Sequence, residues 1–401
     1  MRCEWSSIKF GDIAEIDMGQ SPSGINVNKI NEGLPLLNGP TEFGAFHPTP
    51  VQWTTDSKKE SKKGDILFCV RGSTTGRMNW SNIPYSIGRG LAAIRHKKSN
   101  QKLNRYIWYT LKYQLDNILS LGTGSTFPNV SKRVLEDLLI EVPPISTQLS
   151  VATILSCLDK KIELNNKINE NLEQQAQAIF KSWFVDFEPF QDGKFVESEL
   201  GMIPEGWEIS SIKDISQEVV TGKTPSTKKE ENYGDHTMFV TIPDMRDQVY
   251  VIQTQRYLSE VGINTQPQKM LPRNSIMVSC IATAGLVSLT SDFSHTNQQI
   301  NTIIPKEGID PYFVFLYMQT LSRYINDLGS GGTTTVNLNK GQFSNIKLII
   351  PPETLFVKFN ELVEPMFKII ELNQHQNITL ANIRNALLPK LMSGEIEVPV
   401  E

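Results

Sequence analysis

Positions spaced alternately by four and three residues from Val151 are Leu155, Leu158, Ile162, Asn165, Asn169, Leu172, Ala176, Ile179 and Trp183. That spacing predicts a long helix with a coiled-coil seam, interrupted by asparagine at two adjacent seam positions. The same spacing later gives Phe359, Val363, Met366, Ile370, Asn373, Asn377, Leu380, Arg384, Leu387 and Leu391. An amide buried in a helix seam costs stability unless it is hydrogen-bonded, and its best-attested use is to fix register. In an antiparallel pair, Asn165 would face Asn377 and Asn169 would face Asn373. The alternative leaves the asparagines solvated and runs the seam through Ile154, Leu158 and Leu164.

The two stretches are copies. Residues 143–184 and 351–392 align without a gap at an offset of 208, and 10 of 42 positions are identical, including the opening proline pairs and Ile162-Glu163-Leu164-Asn165 against Ile370-Glu371-Leu372-Asn373. A repeat of this kind divides the chain into two copies of one unit. Upstream, Trp5-Ser6-Ser7-Ile8-Lys9 answers Trp207-Glu208-Ile209-Ser210-Ser211-Ile212-Lys213, and the turn at 19–23 answers that at 222–226. Largely apolar runs at 66–70 and 276–281 predict buried strands. Each is followed by a small polar loop, at 71–77 and 282–285. A second polar loop precedes each proline pair, at 122–132 and 329–340, and short aromatic-bearing helices at 106–119 and 311–328 lie between. Strands and helices mixed in one small domain predict an α+β fold.

The expected organisation is a domain over 1–142, a spacer helix over 143–186, a Pro/Gly/acidic linker over 187–206, a second domain over 207–350 and a terminal spacer helix over 351–401. Leu388-Pro389 with Ser393-Gly394 should stop the last helix. Pro365 should kink it or mark a late start.

At 401 residues, 39% hydrophobic and 20% charged, the composition is that of a soluble protein of two or three domains. No run reaches the length of a membrane span, and the opening residues do not read as a signal peptide. The four cysteines (Cys3, Cys69, Cys157, Cys280) are scattered and suggest neither a zinc site nor a disulfide framework. A cytoplasmic protein without membrane contact is expected. The net charge of −4 conceals a distribution: 18 basic and 12 acidic residues over 1–140 (+6), but 13 and 17 over 191–350 (−4). DNA binding by the second half would therefore rest on local patches or on a basic partner.

Catalytic patterns fail. Gly222-Lys223-Thr224 lacks the glycine five residues earlier that a phosphate cradle needs, because that position is Gln217. Asn82-Ile83-Pro84-Tyr85 departs from the Asn-Pro-Pro-Tyr tetrad of adenine methyltransferases. Pro243-Asp244 has no acidic-x-Lys partner, and the five histidines show no metal spacing. No catalytic or metal-ligating residue is assigned. The polar loops instead suit a reader of nucleic acid. Glycine lets backbone amides approach phosphates, hydroxyls and lysine contact the backbone, and Asn, Gln or Arg can reach base edges. Candidate DNA contacts are Arg71, Ser73, Thr74, Arg77, Arg89, Ser125, Thr126, Asn129, Ser131 and Lys132 in the first copy. In the second they are Thr283, Asn297, Gln298, Gln299, Thr333, Asn337, Asn339 and Lys340.

Four segments together resemble the specificity subunits of type I restriction-modification enzymes, along essentially the whole chain. They are Gly124-Ser125-Thr126-Phe127-Pro128-Asn129-Val130-Ser131-Lys132, the helix end at 176–190, the restart Gly201-Met202-Ile203-Pro204-Glu205-Gly206-Trp207, and Leu387-Leu388-Pro389-Lys390-Leu391-Met392-Ser393-Gly394-Glu395. The resemblance implies two pseudo-two-fold-related α/β target-recognition domains joined by two long antiparallel helices in a coiled coil. Each domain would read half of a split, asymmetric sequence in double-stranded DNA. The helices would dock two methyltransferase subunits, with restriction and translocase subunits outside them. The chain itself would need no cofactor, and S-adenosylmethionine, ATP and Mg would belong to the partners. The helix over 151–183, at roughly 1.5 Å per residue, would act as a ruler of about 50 Å. Rival readings are a coiled-coil scaffold without DNA specificity and a fused methyltransferase or nuclease. The second loop lacks the Phe-Pro pair of the first, which leaves the DNA contacts of the second half less defined.

Overall fold

The computed structural model describes residues 5–98, 100–124, 127–330 and 336–399. Two compact units account for the chain: Met1–Glu163 with Thr379–Glu401, and Leu164–Ile378. Each unit therefore holds a globular domain together with part of both long helices, Ile145–Phe184 and Glu353–Met392.

In the first unit an antiparallel sheet runs in the order Ala14–Met18, Leu91–His96, Ile66–Cys69, Met78–Trp80. In the second the order is Ser216–Thr221, Ile300–Pro305, Ile276–Ser279, Val287–Thr290, with Tyr250–Val251 added in parallel. The apolar runs that predicted the central strands have a simple cause. Side chains alternate between the two faces of a strand, and here both faces are covered. Ile66 and Phe68 enter the core beneath the helices, while Leu67 and Cys69 enter a second core with Leu37, Tyr85 and Ile87. Ile276 and Val278 are divided from Met277 in the same way.

That second core is capped by a smaller sheet. Its order is Val27–Asn28, Trp53–Thr54, Leu34–Leu37, Tyr85–Ile87, Glu60–Ser61 in the first unit. In the second unit it is Tyr233–Gly234, Tyr257–Leu258, Thr237–Val240, Ser294–Thr296. Both units repeat the same turn from antiparallel to parallel pairing. Each domain is closed by a pair of strands from its two ends, Ser6–Lys9 with Leu139–Val142 and Glu208–Ser211 with Lys347–Ile350.

In the second unit the long helices run antiparallel. Asn165 Nδ2 donates to Asn377 Oδ1 at 2.9 Å and to Gln376 Oε1 at 2.8 Å, and Asn373 Nδ2 donates to Asn169 Oδ1 at 2.8 Å. Asn165 is fully buried, whereas Leu164 is half exposed, so the seam runs through the amides. Further along, Phe359 meets Phe180 and Phe184 edge to face, as Phe313 meets Phe184, while Phe180 and Phe313 pack tilted. In the first unit Val151, Ala152 and Leu155 share a core with Leu391 and Met392.

Two expectations gain detail. The helix Glu353–Met392 begins twelve residues before Pro365 and continues through it, so the proline does not mark a late start. Val363 and Phe367, both fully buried on either side of it, anchor the helix despite the lost backbone bond. The stretch read as a linker is a built element: Phe195–Ser198 pairs with Gly201–Pro204. Phe184, Phe187 and Phe190 surround Trp207, which fixes this segment to the second domain.

Candidate nucleic-acid interface

The polar loops converge at one end of the main sheet in each unit. In the first, the turn after Met18 is bound by Gly19 N to Leu91 O at 2.9 Å and by Gln20 N to Ile87 O at 2.9 Å. The loop 71–77 leaves the adjoining strand, with Val70 N on Gly90 O and Val130 N on Val70 O, each at 2.9 Å. The Thr75 hydroxyl donates to Pro128 O at 2.8 Å, joining this loop to the segment that precedes the short helix Lys132–Glu136.

The second unit repeats the backbone bonds of this arrangement. Gly222 N reaches Ile300 O, Cys280 N reaches Gln299 O, and Leu338 N reaches Cys280 O at 2.9 Å. Gly19 and Gly222 occupy one position in this architecture for one reason. A Cβ at Gly19 would lie 2.1 Å from Gly88 O, and one at Gly222 would lie 2.2 Å from Asn297 O, so only glycine lets the two loops touch.

The candidate residues divide by what their side chains do. Arg71, Ser73, Arg77, Arg89, Lys132, Gln298, Asn337 and Lys340 are exposed at this end, and Thr74, Thr283 and Gln299 are half-buried. Arg89 is held by its backbone N–H on Ser21 Oγ at 3.3 Å, which leaves the guanidinium outward. Gln298 accepts the Thr224 hydroxyl at 2.6 Å, and Lys132 lies 3.5 Å from Glu136. Three candidates serve the fold. Ser131 caps its short helix by accepting from Val134 N, and Asn339 caps Lys340–Ser344 by accepting from Gln342 N. Asn297 is buried, donating to Gln299 Oε1 and accepting from Gln299 N, each at 3.0 Å. Asn129 is half-buried and pairs through its backbone with Thr123. Ser125, Thr126 and Thr333 lie outside the described residues.

One loop per unit escaped the sequence reading. After Leu34–Leu37 the chain turns at Asn38-Gly39-Pro40, and after Thr237–Val240 it turns at Thr241, with Gly88 N on Leu37 O and Asn297 N on Val240 O. Both turns therefore adjoin the loops above. The Asn-Gly-Pro turn signature was available as a signal, but the strand before it was too short to show a period.

The electrostatics of the two ends differ. Arg71, Arg77, Arg89, Lys132 and Arg133 dominate the first, whereas amides and hydroxyls dominate the second. The Cys280 thiol at the root of the second loop is pushed up to about 11 by burial, which removes it as a nucleophile at neutral pH. Glu42, beside the missed turn, has its carboxyl raised by desolvation. Among the described residues no group of three His, Cys, Asp or Glu could hold a metal ion, and no helix is long and apolar enough to cross a membrane.

Comparison with known proteins gives a consistent result. The family model for the type I restriction modification DNA specificity domain matches residues 3–174 and again 204–382. The chain is 34% identical, over an alignment of 465 positions, to the type I restriction enzyme HindI specificity subunit of Haemophilus influenzae, covering 98% of this chain and 100% of that one. It is 29% identical over 419 residues to the MjaIX specificity subunit of Methanocaldococcus jannaschii, covering 98% and 94%. The crystal structure of a type I restriction-modification S subunit from M. genitalium shares the fold, with a TM-score of 0.60 at 16% identity over 97% and 96% of the two chains. The chain belongs to the type I restriction-modification DNA specificity family and carries that family's domain twice.

Proposed function

We propose that this protein reads a bipartite, asymmetric sequence in double-stranded DNA, one half-site per unit, within a cytoplasmic type I restriction-modification complex. The reading rests on one observation above all. The same four loop segments, tied by the same backbone hydrogen bonds, crown the same end of the same sheet in both units while their side chains differ. A common frame with different tips suits two readers of different sequences.

On this reading the long helices dock two methyltransferase subunits, with restriction and translocase subunits beyond them. S-adenosylmethionine, ATP and Mg would act on those partners, and this chain would supply recognition alone. The helices, each of 40 residues, would set the spacing between half-sites, and the four paired asparagines would fix their register.

The test is exchange. Residues 1–140 replaced by the corresponding segment of another family member should change one methylated half-site and leave the other intact, read by mapping methylated bases in cells carrying the complex. A change in both half-sites overturns the two-reader model. Insertion of residues into either long helix should alter the spacer and neither half-site; an unchanged spacer overturns the ruler.

A further inference from the structure

The first unit carries a cleft of about 520 Å³ with a mixed polar and apolar lining between the segment 22–29 and the residues Leu36, Asn38 and Gln52. We propose that this cleft is part of the first reader: Lys29 would take a DNA phosphate, and the side-chain amides of Asn38 and Gln52 would take a base edge in the first half-site. This rests on the DNA-reading function above and adds to it a place and a set of residues outside the loops 71–77 and 122–132.

Four observations carry it. The cleft is continuous with the loop cluster. Pro22 lines it next to Ser21, which binds Arg89 N, and Asn38 passes so close to the 88–90 turn that a Cβ at Gly88 or Gly90 would come within 2.5 Å of it. Three of its polar side chains are uncommitted: among the described residues those of Lys29, Asn38 and Gln52 have no hydrogen-bond or ion-pair partner. A carboxamide supplies one donor and one acceptor side by side, the pattern that matches the adenine edge.

The position of Lys29 is built. Asn28 Oδ1 accepts from Ile30 N at 3.1 Å and Glu32 N at 3.2 Å, and its Nδ2 donates to Glu32 O at 2.8 Å. Asn31 takes a left-handed conformation at φ 63. This closed turn holds Lys29 at the mouth of the cleft with Ile30, 77% exposed, beside it. Ile25, between the lining residues Gly24 and Val27, is 89% exposed. Ile25 and Ile30 thus stand exposed beside the cleft, and a thymine methyl is one apolar partner that DNA offers.

In the second unit the corresponding segment is tied down by hydrogen bonds. The Tyr233 hydroxyl donates to Pro225 O at 2.9 Å, Asn232 Nδ2 to Ser226 O at 3.0 Å, and Gln266 Nε2 to Lys223 O at 2.9 Å. The two readers thus differ in shape as well as in side chains.

The experiment is competition binding by the full chain with its methyltransferase partner, against DNA duplexes substituted one base pair at a time. Asn38→Ala or Gln52→Ala should abolish discrimination at one base pair of one half-site, roughly tenfold or more, with the other half-site unchanged. Lys29→Ala should weaken binding to all duplexes alike and lower the salt slope by about one. If neither amide variant alters any position while Arg77→Ala and Arg89→Ala do, the cleft is refuted and the loop reading stands. If the unsubstituted complex discriminates nowhere, the reading and the cleft fall together.

Discussion

Asp159 of the central helix and Arg384 of the C-terminal helix meet at 2.6 Å in the first unit, and the same carboxylate accepts the Tyr109 hydroxyl at 2.6 Å. One acidic group thereby ties both long helices to the globular helix Gln101–Tyr113. The pair is mostly buried, with side-chain exposures of 16% and 19%. Removing one partner of such a pair leaves the other charge unpaired in a poorly solvated place.

Asp159→Ala should therefore destabilise the first unit by about 2–4 kcal/mol. Arg384→Met combined with Asp159→Leu should cost less than Asp159→Ala alone, because the charges leave together. Urea denaturation followed by hydrogen exchange in the helix Gln101–Tyr113 measures both.

The seam amides should behave similarly. Asn165→Leu alone strips Asn377 and Gln376 of a buried donor and should cost about 1–3 kcal/mol. The double variant Asn165→Leu/Asn377→Leu should be more stable than the single. A cycle of denaturation midpoints decides it, and a double variant weaker than both singles contradicts it.

The heptad spacing made this seam legible: residue type and period together placed the asparagines opposite one another before any coordinates. The strands Ile66–Cys69 and Ile276–Ser279 were legible because both faces are buried, so nearly every residue in them is apolar. The small sheets were not. Strands of two residues such as Val27–Asn28 and Trp53–Thr54 are too short to display alternation. Nor could composition distinguish Ser131, Asn339 and Asn297 from the exposed polar residues beside them. A cap, a turn and a DNA contact call for the same side chains, and only burial and hydrogen-bond partners separate them.

At the loop ends, Arg77→Ala and Arg89→Ala should each reduce DNA affinity, with a salt slope smaller by about one where the guanidinium meets a phosphate, or with relaxed specificity where it meets a base. Asn297→Ala should instead lower stability by about 1–2 kcal/mol through its lost turn. Binding isotherms over a salt series, paired with thermal melts, separate the two classes.

Acid should weaken the second unit in a defined window. His295 is fully buried and its pKa is lowered to about 4 by that burial, whereas the unfolded chain titrates near 6.5. Between these values the unfolded state binds the extra proton, so stability falls as pH drops from about 6.5 to about 4 and levels off below. The loss is about 3–4 kcal/mol, and His295→Gln should flatten that part of the profile. Hydrogen exchange in Ile276–Ser279 and Ile300–Pro305 against pH reads it, free of the parallel effect of His96, whose pKa burial also lowers in the first unit.

The paired end strands have a consequence for inheritance. Because Ser6 lies opposite Val142 and Glu208 opposite Ile350, each domain leaves the chain where it entered it, within roughly 5 Å. A genetic exchange with one crossover before each pair and one after it can replace an entire reader as a cassette. The seam, the helices and the surfaces they present are untouched, so a new specificity can arise in one step without a partner having to adapt.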